Sequence, residues 1–218
     1  MASENVVPRD EEIGPNRLKG LLRVPAAAKG LVAFAHGSGS SRLSRRNNFV
    51  ASELGRQGLA TLLFDLLTDS ESDDRRNVFD IPLLGTRMLQ AVDWAAAVPA
   101  IAALPVGLFG ASTGAAAALV AAAERPASVK AIVSRGGRPD LAGDFLPRVR
   151  APTLLIVGGA DYGVIELNEE AASRLNCQCK LEIVPGATHL FEESGALEAV
   201  VELAARWFLR YLPRQQSS

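Results

Sequence analysis

The 218-residue sequence predicts one α/β domain, a mainly parallel sheet with helices on both faces. Three observations predict it. Short apolar runs of strand length alternate with amphipathic or alanine-rich stretches of helical length, as βαβ crossovers require. The composition, 48% hydrophobic and 22% charged, allows one good core, and a chain of this length commonly forms one domain in this class. No internal repeat is visible. The expected boundaries are a polar, acidic segment at 1–16, the domain at 17–213 and a polar tail at 214–218.

Along the chain, residues 18–24, 31–35 and 60–64 read as the first strands, with a helix at 47–57 between the second and third. Residues 67–77, rich in Asp, Ser and Arg, read as irregular, and 83–97 as a helix. A strand at 106–109 opens just after Pro105, where a proline is tolerated. The alanine-rich stretch 115–123 is a strong helix former, ended by Pro126. A strand at 129–134 leads into 136–150, punctuated by Gly and Pro, which is placed to cover a crevice but too short for a separate cap domain. Strands at 153–157 and 180–184 flank a helix at 164–175. In the last helix, 197–211, Leu197, Val201, Ala204, Phe208 and Tyr211 form one apolar stripe that packs on a sheet.

The formal net charge of −1 offers no field to gather nucleic acid or an anionic membrane, so a small-molecule partner is expected rather than either. No secretory signal and no span of roughly 20 apolar residues is visible, and the expected location is the cytoplasm. Cys177 and Cys179, one residue apart before a strand, would point to opposite faces. That spacing suits neither a disulfide nor a zinc site, and free thiols fit a reducing compartment. No dinucleotide fingerprint, phosphate loop or metal-ligand cluster stands in the sequence, so neither cofactor nor metal is expected.

In an open α/β sheet, ligands bind beyond the carboxyl ends of the strands. Four such places carry polar groups: His36 to Ser41, Ser112, Asp161 and His189. Ser112 lies in Gly110-Ala111-Ser112-Thr113-Gly114, a G-x-S-x-G pentapeptide between a strand and a helix, where small neighbours let a hydroxyl stand clear of a sharp turn. A serine hydroxyl needs a base to take its proton and a carboxylate to hold that base in the right tautomer. The chain has two histidines, and His189 follows a strand in a loop that suits the base. Asp161 ends the run Leu154-Leu155-Ile156-Val157 and suits the acid, although an aspartate there also suits a helix N-cap. Asp140 and Asp144 are the reserve acids.

The order Ser112, Asp161, His189, with the Gly158-Gly159-Ala160-Asp161 turn, the Gly186-Ala187-Thr188-His189 turn and the His36-Gly37-Ser38-Gly39-Ser40-Ser41 loop, resembles the α/β-hydrolase superfamily. More closely, the chain resembles the small, capless serine members of the dienelactone hydrolase-like group from about residue 15 onward. It departs from dienelactone hydrolase proper, whose nucleophile is a cysteine. The resemblance implies an oxyanion hole made by the backbone amides of Ser38 and Thr113, with His36 as a brace and Gly37, Gly110 and Gly114 in support. Arg135, at a strand end, is the candidate substrate-binding residue for an acyl group bearing a carboxylate. Arg42, Arg45 and Arg46 suit a solvated basic face better.

The function these features predict is hydrolysis of carboxylic esters, or of thioesters or lactones, of small acyl substrates through an acyl-enzyme. The rivals are an acyltransferase with the same triad and a non-catalytic binding module on the same fold.

Overall fold

The computed structural model describes residues 6–212. Eight strands form one sheet: β1 (Arg9–Ile13), β2 (Leu18–Arg23), β3 (Leu31–Ala35), β4 (Ala60–Phe64), β5 (Val106–Ala111), β6 (Val129–Arg135), β7 (Thr153–Gly158) and β8 (Cys179–Val184). Their spatial order is β1-β2-β4-β3-β5-β6-β7-β8. The strands from β4 to β8 in that order pair in parallel, while β1 and β2 form an antiparallel edge.

The helices are α1 (Arg45–Arg56), α2 (Asp69–Ser72), α3 (Ile81–Ala97), α4 (Thr113–Glu124), α5 (Val164–Arg174) and α6 (Ala196–Tyr211). The strand pleat sends alternate side chains to opposite cores. Leu31, Ala33 and Ala35 join α3, α4 and α5 on one face, while Val32 and Phe34 join α1 and α6 on the other. Every residue of β3, β4, β5 and β7 is buried, which is why these strands read as unbroken apolar runs rather than alternations. Phe34 and Phe109, on neighbouring strands, stack with ring centroids 4.8 Å apart. The alanines of α4 let that helix lie close to its neighbours: a β-carbon on Gly85 of α3 would come within 2.6 Å of Val120.

The connections decide where the site lies. From β3 the chain passes through α1 to β4 on one side; it then returns through α3 to β5 on the other side and continues to β6. The carboxyl ends of β3 and β5 therefore carry loops that diverge, and a crevice opens between them. The loop at His36 and the turn at Ser112 stand there.

The segment expected to lie outside the domain contributes β1. Its sequence, RDEEI, buries only Ile13 and shows no apolar alternation; backbone pairing with β2 makes it a strand. A charged edge strand of this kind discourages pairing with other chains. Residues 67–77 are more regular than expected: Thr68 and Glu71 form a capping box for α2, and Glu71 pairs with the buried Arg87 of α3. Helices α1 and α3 each start two residues before the expected position, because Ser44 and Asp80 cap them by accepting from Asn47 N at 3.3 Å and Leu83 N at 2.9 Å. Residues Pro139–Arg148 form 3₁₀ turns kinked at Gly143, and Ala142 and Leu146 bury against the α4 side of the sheet. That segment packs on α4 and α5, not over the crevice as expected. Among the described residues no helix is long and apolar enough to cross a membrane.

Candidate active site

Ser112 joins β5 to α4 with φ 50° and ψ −125°, a left-handed backbone that costs a non-glycine residue about 1–3 kcal/mol. The surroundings impose it. A β-carbon on Gly114 would come within 2.2 Å of Ala35 O, and one on Gly110 within 2.4 Å of Ala115 Cα, so the pentapeptide glycines are there for close approach. Ser112 O accepts from Ala115 N and Arg138 N, both at 3.1 Å, which fastens the turn to its own helix and to the loop after β6.

His189 Nδ1 lies 2.7 Å from Asp161 Oδ2, across the loops that follow β8 and β7. A carboxylate on Nδ1 holds the ring proton there and leaves Nε2 as an acceptor. Three contacts hold the His189 loop: Thr188 Oγ1 donates to Glu193 at 2.6 Å, Phe191 is buried, and Ala160 N, beside Asp161, donates to Ala187 O at 2.9 Å. The Thr188 bonds also hold the Glu193 carboxyl below its usual range. No hydrogen bond joins Ser112 Oγ to His189 among the described residues. Both residues line one cavity of about 250 Å³, shared with Gly37, Ser38, Ser40, Ser44, Arg46, Arg135 and Gly136. Contacts of this kind are often long without substrate and tighten when it binds.

The reserve acids are engaged elsewhere. Asp140 accepts from Arg138 at 2.9 and 2.7 Å, and the exposed Asp144 reaches Arg174 at 3.5 Å.

His36 braces the crevice wall. Its Nδ1 donates to Gly37 O at 2.9 Å and its Nε2 accepts from Leu66 N at 3.0 Å, which the neutral ring alone can do. Burial pushes its pKa below the usual histidine value, against the opposing pull of the Gly37 carbonyl and Asp65.

The expected oxyanion hole is half altered. The Thr113 amide, the first of α4, has no acceptor within its own helix. The Ser38 amide, however, donates to Thr113 Oγ1 at 3.0 Å and so does not stand free. Ser40 N donating to Gly37 O turns the loop so that Ser38 faces the threonine. Thr113 thus contributes a side-chain tether as well as an amide, a role with no sequence signal of its own.

The arginines separate. Arg45 is exposed, Arg42 pairs with Asp65, and Arg46 pairs with Glu192 at 2.7 Å while lining the cavity with Ser112. Arg135 ends β6, where its carbonyl accepts from Ser112 N at 3.4 Å. It is 7% exposed, and its Nε and Nη1 are buried without a partner. Burial, with the nearby charge of Arg46, pushes its pKa down to about 10, so it stays charged near neutral pH. Gly136 lets the chain leave β6 past the histidine: a β-carbon there would come within 3.0 Å of His189 O.

A second cavity of about 290 Å³ lies across the Gly37 to Ser41 loop, walled by Leu66, Leu67, Val78 and Leu84 with Asp65 and Asp69. Cys177 and Cys179, away from both cavities, form no disulfide; Cys177 Sγ donates to Thr153 Oγ1 at 3.7 Å, and burial pushes the Cys179 thiol up to about 11.

A model of the dienelactone hydrolase family matches residues 18–212. A solved dienelactone hydrolase from Anabaena variabilis is 54% identical and superposes with a TM-score of 0.93, covering 96% of this chain and 100% of that one. Est1E from Butyrivibrio proteoclasticus is 20% identical with a TM-score of 0.77, over 94% of this chain and 98% of that one. Two proteins from Mycobacterium tuberculosis strains, provisionally named phosphoribosyl transferases, are 58% identical over 208 residues, 94% of this chain and 47% of theirs. The chain thus spans about half the length of the curated relatives it matches.

Proposed function

The chain belongs to the dienelactone hydrolase family, and from that premise we propose that it is a serine hydrolase of small carboxylic esters, thioesters or lactones. One observation carries the reading: the Asp161–His189 hydrogen bond of 2.7 Å opens onto the same cavity as the strained turn bearing Ser112. Ser112 Oγ attacks the substrate carbonyl while His189 Nε2 takes its proton, and Asp161 stabilises the imidazolium. The Thr113 amide donates to the tetrahedral oxyanion, and the Ser38 amide joins it when the loop releases Thr113 Oγ1. His189 returns the proton to the leaving alcohol or thiol. Water then repeats the sequence on the acyl-enzyme and frees Ser112.

The dienelactone hydrolase name of the Anabaena protein supports hydrolysis. The mycobacterial name belongs to proteins about twice as long, and the three proposed catalytic residues all fall within the stretch that matches the family. The test is a series of p-nitrophenyl esters of increasing acyl length, run on the parent and Ser112→Ala proteins. The expected result is hydrolysis by the parent, best with short acyl groups, and a loss of more than about a thousandfold in the variant. Equal rates in the two proteins would contradict the proposal. Acyl transfer to added alcohols or thiols at the expense of hydrolysis would identify an acyltransferase, and a parent inert in both assays a binding module.

A further inference from the structure

Arg135 stands apart from the other arginines with buried nitrogens: Arg23, Arg42 and Arg87 each keep a side-chain hydrogen bond, and Arg135 keeps none among the described residues. A buried cation is normally paired, because taking a charge out of water is costly unless a counter-ion or hydrogen bonds compensate. Arg135 is more than nine-tenths buried, and its side chain has no hydrogen-bond acceptor or carboxylate partner among the described residues. Of the two arginines that line the cavity, Arg46 is paired with Glu192 and Arg135 with no carboxylate among the described residues, while the Asp161 carboxylate is engaged by His189 and does not line the space. The unpartnered cation beside the nucleophile is therefore Arg135.

Its position is close to the chemistry. Arg135 is the register partner of Ala111, the residue before Ser112, so one strand spacing separates it from the nucleophile's strand. The cavity of about 250 Å³ lies just below the roughly 300–1,000 Å³ of sites for drug-sized ligands, which limits the occupant to a small molecule. Ser40, Ser44 and Arg46 line the same space and add donors around an anion.

We infer that Arg135 recognises an anionic group, a carboxylate or a phosphate-type oxyanion, on the substrate within a few bonds of the scissile carbonyl. This rests on the hydrolase proposal for the reaction, but not for the binding. The anion supplies the partner the guanidinium lacks, through charge-assisted hydrogen bonds. The arriving charge also fixes which way the carbonyl faces Ser112. The cavity beyond the Gly37 to Ser41 loop is lined by no arginine or lysine, and its Asp65 and Asp69 are already paired with Arg42 and Lys19, so it offers that anion no partner and suits an uncharged leaving group.

The test compares ethyl butanoate, monoethyl succinate and ethyl 3-phosphonopropanoate as substrates for the parent, Arg135→Gln and Arg135→Lys proteins. The parent is expected to favour one or both anionic esters. Arg135→Gln should lose about a hundredfold in kcat/KM on the favoured ester and less than about fivefold on ethyl butanoate, and Arg135→Lys should recover part of the loss. Which anionic ester is favoured distinguishes a carboxylate from a phosphate-type substrate. No preference in the parent, or equal loss on charged and neutral esters, would overturn the inference.

Two further readouts keep the test decisive. Calorimetry with succinate and with 3-phosphonopropanoate on Ser112→Ala asks about binding alone; binding that disappears in Ser112→Ala/Arg135→Gln supports the inference even if hydrolysis fails, and no binding opposes it. Thermal unfolding should show Arg135→Gln at least as stable as the parent, since an unpaired buried charge has been removed. A marked drop in Tm would mean that Arg135 serves the fold instead.

Discussion

Replacing Asp161 by asparagine keeps the shape of the site and removes its charge. The carboxylate accepts from His189 Nδ1 at 2.7 Å; its own side chain is 11% exposed and that of His189 38%, so solvent screens the contact only from the histidine side. An amide there can present its NH₂ to the ring; the imidazole proton then moves to Nε2, which can no longer accept from Ser112. In the chymotrypsin triad the same exchange lowers kcat about 10⁴-fold, or about 5 kcal/mol of transition-state stabilisation at 1.36 kcal/mol per decade. Asp161 does not line the cavity, so KM should stay within about threefold of the parent. Burst and steady-state kinetics on p-nitrophenyl acetate measure both quantities. Asp140→Asn, whose carboxylate serves Arg138, is the control and should keep nearly the parent rate. A loss below about tenfold for Asp161→Asn, or equal losses for the two variants, would refute the assignment of the acid.

Gly114→Ala would drive a β-carbon to 2.2 Å from Ala35 O, and the shift of α4 this forces should cost about a hundredfold in kcat and several degrees in Tm; a parent-like enzyme would show that the turn is looser than described. Thr113→Val removes the acceptor of the Ser38 amide, and Thr113→Ser keeps it. With that bond gone the Ser38 amide is free for the oxyanion, so the valine variant should turn over at least as fast as the parent and the serine variant normally, as steady-state kinetics on one ester would show; a tenfold loss in the valine variant would mean that the tether positions the loop for catalysis. His36 has a lowered pKa in the fold, so the unfolded chain binds its proton more readily and stability falls as pH drops below the unfolded value of about 6.5. Denaturant titrations of the parent between pH 7 and 5 should therefore fall more steeply than those of His36→Asn, by up to about 1.4 kcal/mol per pH unit. Parallel slopes would exclude His36 as the source.

Seven strands were legible in the sequence and stand close to the expected positions: β3 to β7 because burial leaves them nearly unbroken apolar runs, and β2 and β8, only partly buried, because apolar residues still outnumber charged ones such as Lys19, Lys180 and Glu182. The edge strand β1 was not, because its charged side chains point to water and only its backbone pairs. Helix bodies were legible from apolar spacing, and their first turns only through the caps Ser44 and Asp80. At the site, Asp161 and His189 were legible because chain order and loop chemistry leave few alternatives, and the structure brings them into contact. The tether from Ser38 to Thr113 Oγ1 and the bond from Thr188 to Glu193 depend on how separate loops face each other, which no local pattern records. Arg46 reads as one of three similar arginines on a polar stretch; only the fold turns it, and not Arg45, toward the crevice.

The most direct test is to treat the parent protein with a fluorophosphonate and map the adduct by peptide mass spectrometry. A single covalent adduct on Ser112, formed rapidly in the parent and slowly in His189→Ala, is the predicted result. No adduct, or one on a different residue, would contradict the account.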